Sequence, residues 1–199
     1  MKQSIITLLL VALSIFSAGQ EYTLPFDPST HKVNYTDVVE AQGAARKALY
    51  ENGKKWILTK NSSTNPYSVS FDNEADGTVT GKGTFMLSGD RRNYVVRFTI
   101  NIETKEGKYR YSFTDFIIQY QTEAEYHSGG YGMWRHTTHT DAQNLEYGLE
   151  TFYPSRLEGR KPSIKWYEEI NKKSFQQIDQ TMQSLVGSLK QAMIVRKDW

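Results

Sequence analysis

Between residues 94 and 103 the chain alternates apolar and polar positions more strictly than elsewhere. Tyr94, Val96, Phe98, Ile100 and Ile102 take one parity; Val95, Arg97, Thr99, Asn101 and Glu103 take the other. Successive side chains of a strand point to opposite faces, so this pattern predicts a half-buried strand. The same alternation predicts strands from Lys32 to about Val39, over Tyr67, Val69 and Phe71, from Thr78 to Leu87, and over Tyr109, Tyr111 and Phe113. Asp76-Gly77, Ser88 to Arg92 and Lys105-Glu106-Gly107-Lys108 carry turn chemistry between them. Gly81 and Gly83 mark a place for a bulge or strong twist. At Asp115 the alternation breaks into Phe116-Ile117-Ile118, which predicts a bulge or burial on both faces.

Two stretches change period. Ala45, Ala48, Leu49, Gly53, Trp56 and Ile57 lie on one stripe of a helix predicted over residues 44–58. Pro162-Ser163 opens a second, running to about Val195, whose stripe holds Ile164, Tyr167, Phe175, Ile178, Met182, Leu185, Leu189 and Met193. Its seven-residue spacings cover too few heptads for a coiled coil, so the stripe is expected to lie on the sheet. Self-association through Ile178–Leu189 is the alternative, and the expected state is a monomer or weak dimer. The predicted order is strand, helix, four strands, irregular segment, helix. It implies an α+β fold: a curved five-stranded antiparallel sheet with two helices on one face.

The first residues add a boundary. Lys2, an apolar run from Ile5 to Phe16 and the small residues Ser17-Ala18-Gly19 follow the plan of a secretory signal peptide. The run is shorter than the roughly 18–20 residues that span a bilayer. The expected parts are therefore a signal over 1–19, a core over 20–122, an irregular Gly/His/aromatic segment over 123–162 and a helical end over 163–199. The expected destination is the periplasm or the medium. With no cysteine in the chain, no disulfide, thiolate site or lipid-anchored cysteine is available. The 24 basic residues nearly balance the 22 acidic ones. Phosphate recognition needs an excess of positive charge, so no nucleic-acid partner is expected, nor membrane insertion.

Leu24-Pro25-Phe26-Asp27, Val33-Asn34-Tyr35, Leu49-Tyr50 with Trp56, Gly81-Lys82-Gly83, Gly107-Lys108-Tyr109-Arg110-Tyr111 and Thr114-Asp115-Phe116 resemble a bacterial domain of unknown function with a TBP-like fold. The resemblance spans about Leu24 to Tyr120. It implies a β-α-β4 core of TATA-binding-protein shape and export from a Gram-negative cell. It implies no activity, and a fold does not carry DNA binding with it.

Candidate chemistry gathers in 123–162. His127, His136 and His139 lie near Glu123, Glu125 and Asp141, the ligand types a zinc site uses without thiols. The gap between His136 and His139 is Thr-Thr, so the general base of a His-Glu-x-x-His motif is missing. No Gly-x-Ser-x-Gly elbow occurs. In Gly129-Gly130-Tyr131-Gly132-Met133-Trp134-Arg135, glycines space large rings and a guanidinium, the residue types of contact hot spots. These rings could instead cap the open edge of the core.

The expected function is a non-enzymatic binding or scaffold domain without a cofactor. Tyr131, Trp134 and Arg135 are expected to contact a protein, peptide or glycan. A metal-dependent hydrolase using His127, His136 and His139 is the alternative.

Overall fold

The computed structural model describes residues 24–88, 93–121, 125–129, 136–140, 143–153 and 163–194. The chain enters through a small hairpin, β1 (Phe26–Asp27) and β2 (Lys32–Val33), followed by β3 (Tyr35–Glu40) and α1 (Arg46–Thr59). Four antiparallel strands succeed one another: β4 (Ser68–Asn73), β5 (Thr78–Ser88), β6 (Asn93–Lys105) and β7 (Lys108–Gln121). Then come β8 (Glu125–Gly129), β9 (His136–Thr140), β10 (Asn144–Gly148), a 3₁₀ turn over Leu149–Thr151 and α2 (Ser163–Ala192).

The main sheet has six strands in the order β10-β7-β6-β5-β4, with β3 also on β7. β3 pairs with Lys108–Phe113 and β10 with Ile117–Gln121, so the two strands share one edge of β7 in tandem. The α+β architecture agrees with the expected one, and β10 is the strand the sequence reading did not supply. The irregular segment expected over 123–162 is corrected: it contains β8, β9 and β10. β8 and β9 are rich in Thr and His and carry no apolar alternation to announce them, and in β10 only Leu145 and Tyr147 alternate, a run too short to stand out.

One sheet face is apolar. Val79, Phe85, Leu87, Val96, Phe98, Ile100, Ile102, Tyr111, Phe113, Phe116 and Ile118 are buried on it. Both helices close this face. A Cβ on Gly53 of α1 would touch Ile102 and Met193, and Trp56 Nε1 donates to Ser188 Oγ of α2 at 3.1 Å. Ile178, Met182 and Leu189 are fully buried, so the stripe considered for self-association is consumed inside the fold.

Phe98 is the hub of the core. Its ring stacks on Phe116 at 5.8 Å and meets Phe85, Phe113 and Tyr67 at 5.8, 5.9 and 6.0 Å. Phe113 and Phe116 reach the same face because β7 bulges between them, where the register shifts opposite Arg97 and Thr99. The bulged Asp115 has φ 54°, a strained value for a residue with a Cβ. Lys32 Nζ grips its carboxylate at 2.5 Å, and this hydrogen bond holds the carboxyl below its ordinary range.

Two strand details differ from the simple alternation. β4 bulges between Val69 and Phe71, which turns Phe71 outward to 56% exposure while Tyr67 is buried. Asp72 then falls on the helix side and accepts from Tyr50 Oη at 2.6 Å. β5 pairs with β6 continuously from Thr78 to Ser88, but the β4 bulge lies opposite Gly81 and Thr80, so the expected irregularity appears at Gly81 in the β4–β5 ladder and not at Gly83. Both glycines also give room: a Cβ on Gly81 would lie 2.8 Å from Ser68 O and 3.1 Å from Ile57, and one on Gly83 2.5 Å from Phe98.

Candidate functional site

β8 and β9 form a two-stranded ribbon, a sheet separate from the main one. Its register sets Glu125 opposite Thr140, Tyr126 opposite His139, His127 opposite Thr138, Ser128 opposite Thr137 and Gly129 opposite His136. Positions 125, 127 and 129 therefore share a ribbon face with 136, 138 and 140. His127 and His136 fall on that face, and His139 falls on the other. The three candidate metal positions are thus divided two against one. Tyr131, Trp134 and Arg135 lie outside the described residues, as do Glu123 and Asp141. Their place in sequence is the connection between paired strand ends.

The main body offers two clefts. The first, about 240 Å³, lies where the β3–α1 connection meets the end of α2 and is lined by residues 39–44 with Tyr109, Lys190, Met193 and Ile194. Its cation is committed: Lys190 Nζ binds Asp37 Oδ2 at 2.9 Å and stands 5.7 Å from the Tyr111 ring centre. The mutual hydrogen bond raises the Lys190 pKa and lowers that of Asp37. Burial pushes the Tyr109 phenol up to about 12. A neutral phenol and a paired ammonium supply neither base nor nucleophile near neutral pH. The sequence reading missed this cleft, because Asp37 and Lys190 come together only in the fold.

The second cleft, about 220 Å³, lies on the other sheet face among Val38, Glu103, Lys105, Lys108, Tyr109 and Arg110. Arg110 Nη2 reaches both carboxylate oxygens of Glu103, at 2.6 and 2.7 Å. The rest of that face mixes exposed Phe71 and Met86 with polar pairs: Thr80 Oγ1 donates to Asn101 Oδ1 at 3.0 Å, and Arg97 pairs with Glu146 at 2.6 Å. These groups satisfy one another in the ladder rather than converge on a point. Among the described residues no group of three or more His, Asp or Glu is placed to hold a metal ion. None of the described helices is long and apolar enough to cross a membrane.

No curated protein matches the chain. Two crystal structures share its fold. A TBP-like protein from Parabacteroides distasonis aligns with TM-score 0.53 and 13% identity, over 80% of this chain and 93% of its own. A DUF4468 family protein from Bacteroides ovatus aligns with TM-score 0.54 and 15% identity, over 84% and 90%. The sequence model of the domain of unknown function (DUF4468) with TBP-like fold matches residues 35–121, the stretch from β3 through α1 to the end of β7. Over that stretch the chain matches the DUF4468 family model, and its fold is the TBP-like one.

Proposed function

We propose that the chain is an exported, non-enzymatic binding domain in which the connection between β8 and β9 contacts the partner through Tyr131, Trp134 and Arg135. The observation that carries this reading is the ribbon register. Gly129 pairs with His136, so residues 130–135 link two paired ends of a ribbon set apart from the main sheet. Ring-bearing side chains give contact area at low entropic cost, and a guanidinium adds directed hydrogen bonds. The body behind the ribbon spends its own apolar positions on closing the sheet against two helices. Such a body is suited to act as a rigid mount. Export is supported by Lys2, the apolar run to Phe16 and the small residues before Gln20.

The test compares the mature protein with Trp134→Ala on a glycan array and on a peptide library. The expected result is specific binding by the wild type that weakens at least about tenfold in the variant, with melting unchanged. A sharp fall in melting temperature would assign Trp134 to the core. No binding to either library would remove the reading.

A further inference from the structure

The second cleft gathers more positive charge than the fold around it neutralises. Of the residues that line it, Lys105, Lys108 and Arg110 are cationic and Glu103 is acidic. Glu103 is spent on Arg110, whose Nη2 reaches both carboxylate oxygens. Lys105 and Lys108 remain, and the β6–β7 register sets them directly opposite each other. Like charges in that position destabilise a ladder. The turn does not require them, since its left-handed residue is Gly107, at φ 72°. The neighbouring acids serve elsewhere. Glu106, between the two lysines in sequence, accepts from Arg46 N at the start of α1. Glu40 stands opposite Lys108 in the β3–β7 ladder but lines the first cleft. Among the described residues neither lysine has an ion pair, and both are exposed.

We propose that this cleft binds a small oxyanion carried on an apolar body, of the aryl phosphate or aromatic carboxylate class. Two ammonium groups on facing strands can each donate to one oxyanion, and its charge relieves their mutual repulsion. Val38, 54% exposed, stands opposite Arg110 on β3 and supplies an apolar wall beside the charges. The cleft, at about 220 Å³, is smaller than the roughly 300 Å³ at which drug-sized pockets begin, so it suits a single ring with its charged group. The site is built from β3, β6 and β7 alone and uses none of residues 130–135. It therefore stands or falls apart from the partner-contact reading.

The experiment follows backbone amide signals by heteronuclear NMR while phenyl phosphate, benzoate or inorganic phosphate is titrated into the protein at constant ionic strength. Saturable shifts confined to the cleft are expected, with phenyl phosphate or benzoate binding at least about twofold tighter than inorganic phosphate. The tighter of the two aryl probes identifies the oxyanion as phosphate or carboxylate. Lys105→Gln and Lys108→Gln are each expected to weaken binding about threefold, and the double variant about tenfold. Val38→Ala should bring the aryl probe down to the level of inorganic phosphate. Lys82→Gln, an exposed lysine elsewhere on the same face, should leave binding unchanged. Melting gives a second readout. At low salt the double variant should melt higher than the wild type, while phosphate should raise the wild type and not the variant. Absence of saturable shifts with all three probes overturns the proposal, and so does a loss in Lys82→Gln equal to that in Lys105→Gln.

Discussion

Gly83 shows how a single hydrogen decides the packing of the core. Its missing side chain is the space that the rings of Phe98 and Tyr67 occupy, and a Cβ there would lie 2.5 Å from one and 2.8 Å from the other. Gly83→Ala is expected to cost about 1–3 kcal/mol through forced ring displacement. Urea denaturation at constant slope would check it; an unchanged midpoint would show that the rings shift freely. At this scale the sequence was partly legible. Asp115 and Phe116 announced a bulge by breaking an alternation, and the structure has one there. The bulge in β4 gave no such sign, because Ser68, Ser70 and Asp72 kept the polar parity intact while the backbone slipped. Gly81 and Gly83 were visible as unusual, but their reason lies in Ile57 and Phe98, which only the fold brings near.

Among the elements, α1 illustrates what local sequence cannot carry. Ala45, at its N-cap, has no side-chain oxygen to offer the first free amides. Glu106 in the β6–β7 turn supplies one instead, accepting from Arg46 N at 3.0 Å. A carboxylate there also complements the positive end of the helix. Glu106→Ala is expected to lower stability by about 0.5–2 kcal/mol, as loss of an ordinary cap does. Thermal unfolding of both proteins measures it, and equal melting would mean that water replaces the carboxylate without loss. The helix itself was legible from its stripe, while its cap was not, being 60 residues away. β8, β9 and β10 were illegible for a related reason. β8 and β9 have no apolar alternation in sequence and are defined by pairing with each other, and β10, with only Leu145 and Tyr147 alternating, has its partner in β7.

For the whole molecule, the two-layer plan followed from counting apolar faces: each of the five strands expected from sequence and each helix has one, and they close on each other. The clefts did not follow, since they arise where connections meet, as at Asp37 and Lys190. The mature boundary is a prediction at this scale. Intact mass spectrometry of protein recovered from the periplasm or medium of a Gram-negative host should place the first residue at Gln20, within about two positions. Recovery of a species that keeps residues 1–19 would sink the export reading. The boundary would leave Leu24 close to the new terminus; its side chain is buried and its carbonyl accepts from Tyr153 Oη at 3.3 Å.

The shared edge of β7 also constrains the order of events during synthesis. Val33 N donates to Glu150 Oε1, 117 residues on; Tyr35 Oη donates to Asp179, 144 residues on; and Lys190 reaches back 153 residues to Asp37. A nascent chain emerging from its first residue holds one half of each pair long before the other exists. Closure over so many intervening residues is slow compared with local pairing. These three contacts can form only after residues 150, 179 and 190 have been made, so the last-made helix completes the contacts that the first strands leave open.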